Sequence, residues 1–158
     1  METLKLSELI GQEISELRFH YIAENDYGMQ SFHSYIKLAS GTIISIPKFD
    51  DDEYLDLTNE NLAYLQNRFD EGSIVNNSLK IYFVGQKITD FYFSYYNDEI
   101  DTDWPGCIQL SNGYYLTECN FGPPGLFVDL IILTEEGISD RIRDLKIEIR
   151  SFLDNQKR

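Results

Sequence analysis

The 158-residue sequence predicts an α+β fold: a twisted antiparallel β-sheet built from two tandem meander repeats, with a helix after the first repeat and a C-terminal helix. Three observations carry this expectation. Tyrosine (11) and phenylalanine (10) are abundant, and aromatic side chains suit the half-buried pleated surface of a sheet. Apolar residues alternate with polar ones at Leu17, Phe19 and Tyr21, and again at Phe91, Phe93 and Tyr95. Finally, the chain resembles itself at a nearly constant offset, the mark of internal repetition.

Residues 10–21 read IGQEISELRFHY and residues 84–95 read VGQKITDFYFSY. Gly11/Gly85, Gln12/Gln86, Ile14/Ile88, Phe19/Phe93 and Tyr21/Tyr95 are identical pairs. Further on, YIKLASGTIIS (35–45) matches CIQLSNGYYLT (107–117), with Ile36/Ile108, Leu38/Leu110 and Gly41/Gly113 identical. The reading is one domain, 1–158, made of copies at about 4–76 and 78–150. A meander of some 70 residues buries too little surface to stand alone, so the copies are expected to share one core.

Each copy supplies the same elements in order. A strand comes first, at Leu17–Tyr21 and Phe91–Tyr95. A variable loop follows, and then a hairpin whose turn is LASGT or LSNGY, with Gly41 and Gly113 placed for positive φ. Further strands are expected at Leu79–Val84 and Leu126–Leu133. A helix capped by Thr58 or Asn59 is expected to run to Asp70, with Leu62, Leu65 and Phe69 on one face and Gly72 as its stop. From Ser139, Ile142, Leu145, Ile149, Phe152 and Leu153 recur at helical spacing. LKIEI at 145–149 also alternates at period two, so a strand there is the competing reading.

The net charge is −14, and it is uneven. Residues 141–158 carry six basic against three acidic side chains, leaving 24 acids and seven bases, or −17, on residues 1–140. Such a field repels nucleic acid and anionic membranes and attracts basic partners; plain solubility is its simplest account. No apolar run approaches the ~20 residues that span a bilayer, and METLKLSELIGQEI has no basic segment leading into an apolar one. The chain is therefore expected to be cytoplasmic, with neither a nucleic-acid nor a membrane partner; its oligomeric state is left open.

No metal or other cofactor is expected. A calcium loop from Asp50 lacks its glycine, and one starting at Asp101 has Asn112 where a bidentate glutamate belongs. The histidines are 13 residues apart and the cysteines 12, so no close zinc-ligand pair exists. His20 reads as a surface histidine. Cys107 and Cys119 flank the Gly113 turn and would face each other as thiols. There is no G-x-S-x-G elbow, no phosphate-binding glycine loop and no S-x-x-K, and acid runs such as DDDE are usually solvated. No catalytic residue is assigned, and an enzyme is not expected.

Binding remains. KFDDDEYLDL (48–57) and NDEIDTDW (97–104) set acids beside aromatic rings, the composition of interfaces that steer a basic partner onto aromatic anchors. The candidate contact residues are Asp50, Asp51, Asp52, Glu53, Tyr54 and Asp56, with Asp98, Glu99, Asp101, Asp103 and Trp104. A small acidic α+β chain with such stretches and no catalytic motif resembles the immunity proteins of bacterial toxin systems. That resemblance implies a protein partner, a basic toxin domain such as a nuclease, neutralised by masking. The alternatives are a duplicated structural or regulatory interaction domain and, behind it, an inhibitor that mimics nucleic acid. Carboxylates gathered in two loops rather than a regular array speak against the mimic.

Overall fold

A computed structural model describes residues 3–23, 30–45, 54–56, 59–100, 106–118, 130–146 and 148–156. The chain enters through β1 (Thr3–Lys5) and a 3₁₀ turn (Leu6–Leu9). It continues through β2 (Ile14–Ala23), β3 (Gln30–Leu38), β4 (Ile43–Ser45), β5 (Tyr54–Asp56), α1 (Asn59–Asp70) and β6 (Ser73–Ile74). The second half holds α2 (Asn77–Lys80), β7 (Ile88–Tyr96), β8 (Glu99–Ile100), β9 (Cys107–Leu110) and β10 (Tyr115–Glu118). After these come β11 (Leu130–Leu133), α3 (Glu135–Leu145), β12 (Glu148–Ser151) and α4 (Phe152–Gln156).

The fold is α+β, with antiparallel pairing throughout. A four-stranded sheet has the order β4-β3-β2-β6 and a six-stranded sheet the order β11-β10-β9-β7-β12, with β8 beside β7. The meander-like orders β2-β3-β4 and β7-β9-β10, the second with β8 inserted between β7 and β9, lie in two sheets rather than one. Alternation decides how the sheets stack. Leu17, Phe32, Ile36, Leu38 and Ile44 point from the first sheet, and Phe91, Phe93, Ile108, Leu110 and Leu116 from the second, into one buried core. The opposite faces take the helices. Phe69 and Leu65 of α1 cover Tyr35 and Ile43, and Ile138 of α3 covers Cys107 and Tyr115. The result is four layers: helix, sheet, sheet, helix.

Matched sequence positions carry matched bonds. Gly11 N–H donates to Ile88 O at 2.7 Å and Gly85 N–H to Ile14 O at 2.8 Å; Ile14 N–H donates to Gln86 O and Ile88 N–H to Gln12 O, both at 2.9 Å. Each bond crosses between the halves and has its counterpart with the halves exchanged. Leu38 N–H reaches Thr42 O, and Leu110 N–H reaches Tyr114 O, both at 2.8 Å. Pairing is irregular between Ile14 and Glu16 in one half and between Ile88 and Asp90 in the other. Gly41 (φ 93°) and Gly113 (φ 89°) adopt the left-handed backbone their turns require.

Several local expectations need correction. Leu79–Val84 is not a strand. Asn76 caps α2 by accepting from Ser78 N–H at 3.2 Å, and turn bonds from Tyr82 to Leu79 and from Phe83 to Lys80 follow. The C-terminal segment is not one helix. It starts earlier, where Thr134 accepts from Gly137 N–H at 3.1 Å, and breaks at Lys146, which turns left-handed (φ 54°). The chain then becomes β12, pairing with β7, before the short α4. The helical reading thus holds at 139–145 and again from Phe152, and the competing strand reading holds between them, shifted towards the C-terminus. Leu130–Leu133 is the described part of the strand expected at 126–133, while the cap expected at Thr58 lies outside the described residues.

Candidate partner-binding surface

The described strand residues of the two acid–aromatic stretches, Tyr54–Asp56 and Glu99–Ile100, belong to different sheets. Asp50, Asp51, Asp52 and Glu53, and likewise Asp101, Asp103 and Trp104, lie outside the described residues. Tyr54 and Asp56 belong to β5, which pairs with β1 in the register Lys5↔Tyr54 and Thr3↔Asp56. That end of KFDDDEYLDL is therefore a strand rather than part of a loop.

Asp98 and Glu99 are placed by a tight hairpin, where a variable loop was expected. Asn97 (φ 50°) and Asp98 (φ 64°) are both left-handed, and Tyr96 pairs with Glu99 across the turn. Two such residues in succession match the right-handed twist of the flanking strands, and short polar Asn and Asp tolerate this backbone. The signal was legible as Asn97-Asp98 between β-prone residues, although Asn-Gly is the commoner form.

Arg150 of β12 clamps this hairpin. Its Nη2 donates to Asp98 Oδ1 at 2.6 Å and its Nε to Glu148 Oε1 at 2.7 Å, while its guanidinium lies 4.4 Å over the Tyr95 ring. These two carboxylates hold the guanidinium proton more tightly than usual. Asp98 is thus engaged within the chain. Glu99 remains exposed, as does Tyr96, 70% accessible. An aromatic ring and a carboxylate are thus presented to solvent on a turn held by an ion pair.

Basic side chains of the first half are gathered elsewhere, on the outer face of the four-stranded sheet beneath the last turn of α1. Arg18 Nη1 donates to Phe69 O (3.4 Å) and Asp70 O (3.1 Å), its Nε to Glu16 Oε1 (3.1 Å), and its guanidinium lies 4.7 Å over the Phe69 ring. Lys37 reaches the same ring at 5.7 Å. His20 is not a surface histidine: its Nε2 sits 2.5 Å from Arg68 O and its ring meets Tyr35 edge-on. Arg68 Nε donates to the Tyr35 hydroxyl at 3.4 Å, and burial raises the pKa of that hydroxyl. Cations at a helix C-terminus complement its dipole. Three of the seven bases in residues 1–140 are spent on this anchorage.

Two buried carboxylates, Asp90 and Glu118, were not singled out by the sequence. Asp90 accepts from Phe91 N–H (2.7 Å), from Leu153 N–H (3.1 Å) and from the Ser151 hydroxyl. Glu118 accepts from Ser34 N–H at 3.1 Å between the sheets. No sequence pattern distinguishes such residues from solvated acids. Cys107 is a buried free thiol whose pKa burial raises, and the β9–β10 register continues to place Thr117 beside it. Cys119, expected to face Cys107 across the turn, lies outside the described residues.

Among the described residues, no three His, Cys, Asp or Glu side chains come together as metal ligands, and no helix is long and apolar enough to cross a membrane. A cleft of about 390 Å³ between the β3–β4 turn and α1 is lined by Ser40, Gly41, Thr42, Ile43, Leu62, Leu65 and Gln66. None of these titrates, so the lining offers no acid–base pair. No protein-family model, curated protein or solved structure compared with the chain matches it.

Proposed function

We propose that this chain is an acidic protein-binding module of the immunity-protein type, which binds a basic bacterial toxin domain and blocks it. The observation that carries the reading is the β7–β8 hairpin. It presents Tyr96, 70% exposed, directly across from Glu99, on a turn fixed by Arg150. A pre-ordered aromatic anchor loses little conformational freedom on binding, and an acidic surround speeds encounter with a basic partner. The net charge of −14 supports the same partner chemistry, since Arg18, Lys37 and Arg68 of the acidic first 140 residues are engaged where α1 packs on the four-stranded sheet.

Co-expression with the toxin domain encoded beside it tests this reading. Rescue of growth and a one-to-one complex are expected; no rescue and no complex would sink it. The matched hydrogen bonds of the two halves favour a second reading, a duplicated interaction scaffold whose partner is not a toxin. On that reading, the chain binds a basic protein but gives no protection.

A further inference from the structure

The two halves differ at β4 and β10. Ile43, Ile44 and Ser45 of β4 match Tyr115, Leu116 and Thr117 of β10 in sequence. β10 has β9 on one side and β11 on the other, in the register Tyr115↔Leu133 and Thr117↔Ile131. β4 has β3 on one side and ends its sheet; among the described residues nothing pairs with its outer edge. Alternation fixes which groups that edge offers. The bond from Leu38 N–H to Thr42 O makes Leu38 and Thr42 a hydrogen-bonded pair, so Ile36 and Ile44 form the next one. The N–H and C=O of Ile43 and Ser45 therefore point away from β3, as those of Tyr115 and Thr117 point to β11.

Side chains repeat the difference. In the second half Leu133 stands across from Tyr115 and packs with Tyr115 and Ile138. It lies close beneath α3, where a Cβ at Gly137 would come 3.3 Å from its Cδ2. In the first half, no strand residue among the described ones stands outward of Ile43. The cleft of about 390 Å³ opens there instead, with Ile43 on one wall and Leu62 and Leu65 of α1 on the other. Leu62 is left 40% exposed.

We infer that β4 is a docking edge for an extended, basic segment of a partner protein. The segment adds to the first sheet as β11 adds to the second, and sets an apolar side chain across from Ile43 into the cleft. Backbone pairing then supplies affinity, and the cleft selects the side chain. The charge of −14 argues for this occupant over a second copy, since two such chains repel while a strand carrying lysines is attracted. The partner's basic charge rests on the proposed function; the open edge and the cleft do not.

The full chain is titrated with the peptide acetyl-Lys-Leu-Ile-Ile-Leu-Lys-amide while NMR follows backbone amide exchange. At about 90% saturation the Ile43 and Ser45 amides should exchange roughly tenfold more slowly. Ser45→Pro removes one outward donor without touching the β3 ladder, so it should keep the melting temperature and lose the peptide's effect at Ile43. Leu62→Ser, an exposed substitution in the cleft, should weaken binding roughly tenfold. The same peptide with glutamate in place of lysine should bind less tightly at low salt. Unslowed exchange at Ile43 and Ser45, undiminished binding to Ser45→Pro or to Leu62→Ser, or equal binding of the glutamate peptide would overturn the inference. Protection that grows with the concentration of the chain alone would seat a second copy at the edge and overturn it too. A failed co-expression rescue with the peptide's protection intact would count against the toxin reading alone.

Discussion

A Cβ at Gly72 would lie 2.8 Å from the Cβ of Arg18, so the turn after α1 needs glycine for room. At Gly41 a Cβ would meet nothing within 4 Å, but φ is +93°, so that turn needs glycine for its backbone conformation. The two cases respond differently to substitution. Gly72→Ala should cost about 1–3 kcal/mol by forcing β2 and the end of α1 apart. Gly41→Ala should cost about 1–2 kcal/mol, and Gly41→Asn less, because Asn tolerates the left-handed region. Urea melts of the three variants check this. Tyr92 allows a separate test. Burial, with Tyr115 and Asp90 nearby, raises its pKa above the ordinary value of 10.0, and burial likewise raises that of Tyr35. The folded state therefore keeps protons that the unfolded chain releases above about pH 10. The tyrosine contribution to stability should be constant below that pH and be lost as pH rises past it, on top of the earlier loss from the buried Cys107 thiol, with a shallower fall above pH 10 in Tyr92→Phe. Equal pH slopes for the two proteins would show that Tyr92 is not responsible.

At the scale of elements, the C-terminal strand and helix hang on a buried acid. Asp90 of β7 receives Phe91 N–H, Leu153 N–H and the Ser151 hydroxyl, and Ser151 in turn accepts from Asp154 N–H at 3.2 Å. Asp90→Ala leaves these donors without their acceptor, and should cost at least about 2 kcal/mol. Amide exchange at Leu153 and Asp154 should then speed up before the rest of the molecule opens; uniform acceleration would place the role of Asp90 elsewhere. The legible elements were those whose signal is local. LASGT and LSNGY between apolar runs announced both hairpins, and Leu62, Leu65 and Phe69 announced α1. Leu79–Val84 misled because Leu79, Ile81 and Phe83 alternate as a strand would, while Asn76, a helix cap, set the outcome. The break at Lys146 was obscured because Leu145, Ile149 and Phe152 keep helical spacing across it. The surface itself was legible in part. Asp98 and Glu99 lie on an ordered turn, but the engagement of Asp98 by Arg150, 52 residues away, is a tertiary fact that spacing does not encode.

At the scale of the molecule, one core draws on both halves, and reciprocal bonds at Gly11, Ile14, Gly85 and Ile88 tie them at their matching ends. Neither sheet can lose its partner without exposing its inner face, so unfolding should be a single cooperative transition. Circular dichroism and tyrosine fluorescence should trace the same urea curve; two separated transitions would show halves that stand alone. The charge of the whole chain bears on association rather than on the fold, since exposed acids raise encounter rates with a basic partner and salt screens them. The most direct measurement of the proposed function is the association of the purified chain with a basic bacterial toxin domain, followed at low and physiological salt. The predicted result is a one-to-one complex that forms more slowly as salt rises, with Glu99→Lys slowing it further and Tyr96→Ala hastening its dissociation. No complex, or one indifferent to salt and to both substitutions, would contradict it.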